Sequence, residues 1–302
     1  MLALKRVLIC ACLLLSASLL AASAGRFGGV PRIRALVYHE TTGFRHASIP
    51  YAIQQITYHG RLRGIQVTAD QTSARFTDEG LAPFDVIVWL STVGGINGSP
   101  PLLTDAEWAA FERYMQAGGG YAGIHAASDC CEESAWYGHL LGNGARFAGH
   151  PSGIEGSPGC LGAYPGAVGG TSTCFQAVVI NEDDRHPSTR GLPDRWDVSD
   201  ELYNYRANPR GAVRVLQALD ETSYDFQPHP FIQSWGALMG EDHPITWCHL
   251  YDGGRVWYTG LGHDASIFAN EDSLSMILEG IRWAAGQSGT KVPRRVRMRP
   301  DR

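Results

Sequence analysis

Apolar positions gather into short, nearly continuous runs at Ile33 to His39, Ile65 to Ala69, Phe84 to Leu90 and Gly120 to Ile124. Runs of that length without alternation suit strands buried on both faces. Between them the pattern becomes helical. Ser48 to Arg63 opens on Ser48 as a cap, and Thr104 to Ala117 opens on Thr104 and Glu107 at capping-box spacing, with Gly118 to Gly120 as the stop. Strand and helix in alternation predict an α/β chain with a doubly wound, mostly parallel, flavodoxin-like sheet and helices on both faces. Beyond a Gly/Pro/Ser-rich loop from Arg146 to Cys174, further strands are expected at Phe175 to Ile180 and Val213 to Leu219. Ile245 to Tyr251 and Arg255 to Thr259 flank Asp252-Gly253-Gly254 and read as a C-terminal β-hairpin. A helix from Asp272 to Ala285 closes the pattern, with no internal repeat and no linker between two cores.

The first residues follow a different logic. Lys5 and Arg6 precede an apolar run from Val7 to Leu20, and Ala22-Ser23-Ala24 stand before Gly25. This is the layout of a signal peptide, shorter in its apolar run than the roughly 20 residues of a membrane span. Residues 1–24 are therefore expected to be removed, 25–290 to form one domain and 291–302 a basic flexible tail. The expected location is secreted or periplasmic. The formal charge of −5 becomes −7 once Lys5 and Arg6 leave. Because the tail is rich in arginine, the body is more acidic still, which disfavours nucleic acid as a partner.

Of seven cysteines, Cys10 and Cys12 lie in the leader, leaving Cys130, Cys131, Cys160, Cys174 and Cys248. An oxidising compartment permits pairing, and Cys160 with Cys174 would staple the Gly-rich loop. The absence of a C-x-x-C spacing argues against a thiolate zinc site.

In a doubly wound sheet ligands bind beyond the carboxyl ends of the strands. Histidines recur at those ends: His39 and His46 after the first run, His125 after the Gly120 run, His263 after the last hairpin strand. An imidazole titrates near neutrality, so His125 and His263 are candidates to share acid and base duties. In Asp200-Glu201-Leu202-Tyr203 an extended backbone turns Glu201 and Tyr203 to one face and Asp200 to the other. Carboxylate and phenol at that spacing suit the hydroxyl groups and ring face of a sugar. His150 and His243 each precede proline and are candidate loop ligands. Trp247 is either an aromatic platform or a core residue. No H-E-x-x-H spacing is present, so no metal or other cofactor is assigned; zinc on His46, His125 and His263 is the alternative.

The stretches Thr42-Gly43-Phe44-Arg45-His46, Gly123-Ile124-His125-Ala126-Ala127-Ser128-Asp129, Gly149-His150-Pro151, Asp200-Glu201-Leu202-Tyr203, Asp242-His243-Pro244-Ile245-Thr246-Trp247 and Tyr258-Thr259-Gly260-Leu261-Gly262-His263 resemble, in order, the recurring motifs of the trehalose-utilisation ThuA-like family. The resemblance runs from about Arg32 to Gly286 and implies a fold similar to the class I glutamine amidotransferases. There a nucleophilic cysteine occupies a tight strand-to-helix turn; here His125 stands in that turn. The resemblance implies His125, His263 and Glu201 as catalytic residues, with Thr42, Phe44, Arg45, His46, His150, Asp200, Tyr203, His243 and Trp247 binding substrate. It also implies a carbohydrate ligand, in particular an oxidised 3-keto glycoside whose ketone acidifies the neighbouring C–H bond. A secreted sugar dehydrogenase is the protein partner expected of an accessory role. Two alternatives stay open: a noncatalytic carbohydrate-binding or accessory module, and a thiol hydrolase using Cys130 or Cys131.

Overall fold

A computed structural model describes residues 33–151, 174–224 and 239–286. The expected leader, the Cys160 end of the proposed staple and the basic tail lie outside the described residues. The chain from Ile33 onward forms one compact unit.

Eleven strands and six α-helices are described. In chain order these are β1 (Ile33–Tyr38), α1 (Ile49–Leu62), β2 (Ile65–Asp70), α2 (Asp78–Leu81), β3 (Val86–Leu90), α3 (Asp105–Gln116), β4 (Gly120–Ile124) and α4 (Ala135–Leu140). Then follow β5 (Phe147–Gly149), β6 (Cys174–Asn181), β7 (Arg195–Glu201), β8 (Asn204–Tyr205), β9 (Arg214–Asp220), β10 (Pro244–Tyr251), β11 (Gly254–Thr259), α5 (Ala265–Ala269) and α6 (Glu271–Ala284). Nine strands form one sheet in the order β2-β1-β3-β4-β11-β10-β9-β6-β7, while β5 and β8 pair separately.

The first five strands of that order run parallel. The rest are antiparallel to their neighbours, so the sheet is mixed rather than mostly parallel. The reason is in the connections. A parallel pair needs a crossover of a dozen residues or more, normally a helix, whereas a tight turn reverses the chain. Asp252 and Gly253, both at positive φ, make such a turn between β10 and β11. Between β9 and β10, and between β6 and β7, no α-helix intervenes among the described residues.

Both faces of the parallel half are covered. Tyr121 on β4 packs against Phe111 of α3, with ring centroids 6.2 Å apart. Trp257 on β11 is paired with Ala122, so it leaves the opposite face, where it meets α6. Thr104 and Glu107 complete the expected capping box of α3. Ser48 occupies the N-cap of α1 but makes no side-chain cap; its hydroxyl donates instead to the Gly262 carbonyl, 3.2 Å away. One end of α1 is thereby tied to the loop after β11.

Gly280 lets α6 lie directly on an indole, since a Cβ there would sit 2.4 Å from Cδ2 and Cε2 of Trp257. Alanine would gain roughly 1 kcal/mol of helix propensity. Overpacking of a dense core costs about 1–3 kcal/mol. The clash involves two ring atoms at once, so the upper part of that range applies. Gly280→Ala is expected to lower the urea midpoint, with an unchanged or higher midpoint as the contrary result.

Candidate functional site

The carboxyl ends of β1, β4, β7 and β11 deliver four side chains to one place. After β1 the chain bridges through Thr41 to Val93 in the segment that follows β3, then turns to present His46 just ahead of α1. His125 follows β4 directly at φ +50°, a left-handed conformation that costs a non-glycine residue about 1–3 kcal/mol. Two hydrogen bonds hold it there, and its other ring nitrogen faces a carboxylate. Its Nδ1–H donates to the Gly260 carbonyl at 2.8 Å, its carbonyl accepts from the Tyr258 hydroxyl at 2.9 Å, and its Nε2 lies 3.1 Å from Glu201 Oε2. Gly262, at φ +135°, allows the β11 loop to pass close to Ile124, because a Cβ there would lie 2.8 Å from Ile124 Cγ2.

Glu201 ends β7, an edge strand four places beyond β11 in the sheet order. Its neighbour Asp200 draws the two regions together, accepting from the backbone N–H groups of Gly262 at 2.6 Å and Asp264 at 2.8 Å. Asp264 in turn caps α5 by accepting from Ser266 N. Asp200 and Glu201 face opposite ways, as extended backbone requires. One grips the loop that carries His263, and the other meets the His263 ring.

The rings of His46, His125 and His263 lie 4.8, 5.0 and 5.3 Å apart, centroid to centroid. One ligating atom from each, with one from Glu201, fits within 4.8 Å. His263 Nδ1 is 2.9 Å from Glu201 Oε2, the oxygen that also faces His125. This contact is close enough for an ion pair, but it is not aligned as a hydrogen bond. His150 Nε2 approaches the other oxygen at 3.5 Å. Burial opposes a charge on Glu201, yet the imidazoles of His150 and His263 and the contacts from His125 and His263 outweigh it. They hold the carboxyl well below the usual carboxylate range. Burial likewise opposes a charge on His263, and Glu201 overcomes it to raise that imidazole. His46 is fully enclosed; burial, then its neighbours His125 and His263, drive it well below its ordinary value. The pocket therefore favours charge on Glu201 and on His263 and disfavours it on His46.

The family model described as ThuA, trehalose utilisation, matches residues 34–284. The chain belongs to the ThuA family. A ThuA-like protein from Bacteroides uniformis superposes with a TM-score of 0.63 at 24% identity, covering 86% of this chain and 94% of that one. Another from Parabacteroides merdae gives a TM-score of 0.57 at 20% identity, covering 87% and 94%. Both support the fold. No curated protein matches the chain.

Not every motif residue of this ThuA family member reaches the cluster. Phe44 does so from outside: it is 62% exposed and its ring stands edge-on to His46 at 4.9 Å. Tyr203 lies beneath, its ring 4.2 Å from that of His125. Thr42 instead donates to the Pro100 carbonyl, and Arg45 donates to the His39 carbonyl and faces His39 Nδ1. His243 bridges Glu221 and the Tyr203 carbonyl, so it supports the segment carrying Tyr203 from below. Trp247 is wholly buried and donates to the Leu141 carbonyl, which makes it core. Cys130 and Cys131 are free but sealed in the hydrophobic core, and burial pushes the Cys131 thiol well up, the reverse of an activated nucleophile. The thiol-hydrolase reading is corrected on that ground.

Sequence reasoning quoted Asp129 within a motif but gave it no role. It is partly exposed at the end of the turn that His125 begins. Burial, reinforced by the charge of Glu201, pushes its carboxyl up to about 7. A cavity of about 530 Å³ lined by Glu40, Thr104, Glu107, Trp108 and Glu133 shares no residue with the cluster.

Glu201 is the chief group that raises His263, ahead of Asp200 and Asp264, so Glu201→Gln leaves burial opposed only by those two weaker influences. Histidine resonances of chelator-treated protein, followed by NMR, are expected to show His263 titrating above about 6.5 in the parent and below it in the variant. An unmoved His263 would mean that Glu201 does not set the charge of the pocket.

Proposed function

We propose that this chain binds a carbohydrate at the Phe44 rim and transforms an oxidised, 3-keto glycoside by proton transfer next to its ketone. The observation that carries the reading is the convergence of Glu201 with His46, His125 and His263 at the strand ends, in a chain whose family is associated with sugar use. A ketone at C3 acidifies the C–H at C2. Breaking that bond leaves an electron pair that moves into an enolate, so the site must take a proton and accommodate negative charge on oxygen.

Both requirements have candidates. Asp129 has a carboxyl at about 7, matched to carrying a proton near neutral pH. His263, whose imidazole is raised by Glu201, would carry positive charge toward the developing oxyanion. His125 is fully buried, its Nδ1 held by the Gly260 carbonyl and its Nε2 turned to Glu201, so it lines the pocket behind Glu201 rather than meeting the sugar. Elimination of the aglycone, isomerisation or simple exchange would each follow from the same enolate. The exposed ring of Phe44 offers an apolar sugar face a surface to stack on.

The chain is proposed to work outside the cytosol. Its leader-like first residues support this, as does the disulfide-bonded state of Cys174, which suits an oxidising compartment. There a sugar dehydrogenase would supply the 3-keto substrate.

Incubation with a 3-keto glucoside in deuterated buffer is expected to place deuterium at C2, with Asp129→Asn slowing exchange at least about 100-fold. Phe44→Ala is expected to weaken sugar binding by about tenfold with little effect on the exchange rate at saturation. Sugar binding without exchange or turnover would reduce the chain to a carbohydrate-binding module. Absence of binding would remove the reading altogether.

A further inference from the structure

The electrophile of the pocket need not be an imidazolium. His125 Nδ1 lies 2.8 Å from the Gly260 carbonyl, which can only accept, so Nδ1 carries the proton. In the neutral ring Nε2 then presents a lone pair to Glu201 Oε2 at 3.1 Å. His263 Nδ1 reaches the same oxygen at 2.9 Å without hydrogen-bond alignment. His46 Nδ1 is buried and has no hydrogen-bond partner among the described residues. One nitrogen from each histidine and a carboxylate oxygen thus crowd one point, and one or two protons cannot satisfy them all. What they lack in common is positive charge at their centre.

We infer that His46, His125, His263 and Glu201 form a binding site for one divalent transition-metal ion. Three imidazole nitrogens and one carboxylate oxygen suit zinc, manganese or iron(II) better than magnesium or calcium, which favour oxygen ligands. Metal–nitrogen bonds of about 2.0–2.1 Å put tetrahedral ligands roughly 3.4 Å apart and opposed ones roughly 4.2 Å apart. The observed spread of up to 4.8 Å closes to the wider of these with shifts of about half an ångström or less, and leaves coordination positions for water or a sugar oxygen. Support behind the ligands is already built. The Gly260 carbonyl fixes the His125 tautomer that coordinates through Nε2, and Asp200 clamps the loop that carries His263. The four residues come from four separated segments, so the ion would also cross-link the parallel and antiparallel halves of the sheet.

This deepens the carbohydrate reading, because a bound cation would take the charge building on the ketone oxygen. The ion can nevertheless bind whether or not the substrate is a keto sugar. The test therefore measures binding without sugar. Full-length protein stripped with dipicolinate is loaded separately with zinc, manganese, iron(II) and cobalt, then assayed by elemental analysis, cobalt absorption and thermal melting. Expected are one ion per chain for at least one metal, a raised Tm and visible cobalt bands. Affinity should fall at least about 100-fold in His46→Ala and in Glu201→Gln. His139→Ala, at an exposed histidine of α4, is expected to bind as the parent does.

Fewer than about 0.1 ion per chain with every metal, in stripped protein that retains its fold by circular dichroism, would overturn the site. Equal affinity in Glu201→Gln and parent would overturn it too. Metal bound at one per chain with no deuterium exchange on keto sugars would uphold the site and sink the substrate proposal. Full exchange by stripped protein would overturn the ion's part as electrophile.

Discussion

A buried carboxylate with histidines on several sides is the constraint from which the rest of this site follows. Removing Glu201 from water is costly, and the residue keeps its charge only because imidazoles from distant segments surround it. Each of those segments must then be fixed. His125 is held in a left-handed turn by the Gly260 carbonyl and the Tyr258 hydroxyl, and the His263 loop is clamped by Asp200 and tied to α1 through Ser48. Much of the polar bonding at the strand ends is the support for one negative charge.

The same constraint separates groups that position from groups that can act. His125, His243 and Asp200 spend their polar atoms on the protein itself, while His263, Asp129 and Phe44 keep some exposure. Proton handling, positive charge and an apolar stacking surface are therefore contributed by different residues around a common centre. A metal ion at that centre would take over the positive charge, since His263 ligates it only after giving up its own proton.

Much of the architecture was legible in the sequence. The runs at residues 33, 65, 84 and 120 became β1 to β4 within a residue or two, and the hairpin formed around Asp252-Gly253. Such signals are local, since they rest on hydrophobic period and turn chemistry. The antiparallel half was less legible. β7 reads Arg195-Trp196-Asp197-Val198-Ser199-Asp200-Glu201, a polar edge strand with no apolar run to betray it, yet it delivers the carboxylate on which the site depends. At residue level the sequence pointed correctly to opposite facings for Asp200 and Glu201. It had no means of showing that Ser48 would leave its helix end for Gly262, or that Thr42 and Arg45 would bond to nearby loop atoms instead of the pocket. The Ser48 and Thr42 choices depend on segments far apart in the chain that only packing brings together, whereas Arg45 turns back on a carbonyl six residues away.

The convergence itself is most directly tested by a high-resolution crystal structure of the chain at neutral pH. Expected is a Glu201 side chain turned inward, its carboxylate within about 3.5 Å of nitrogens on both His125 and His263, with His46 facing the same point. A Glu201 side chain turned to solvent, or the three imidazoles separated by packed hydrocarbon, would contradict it.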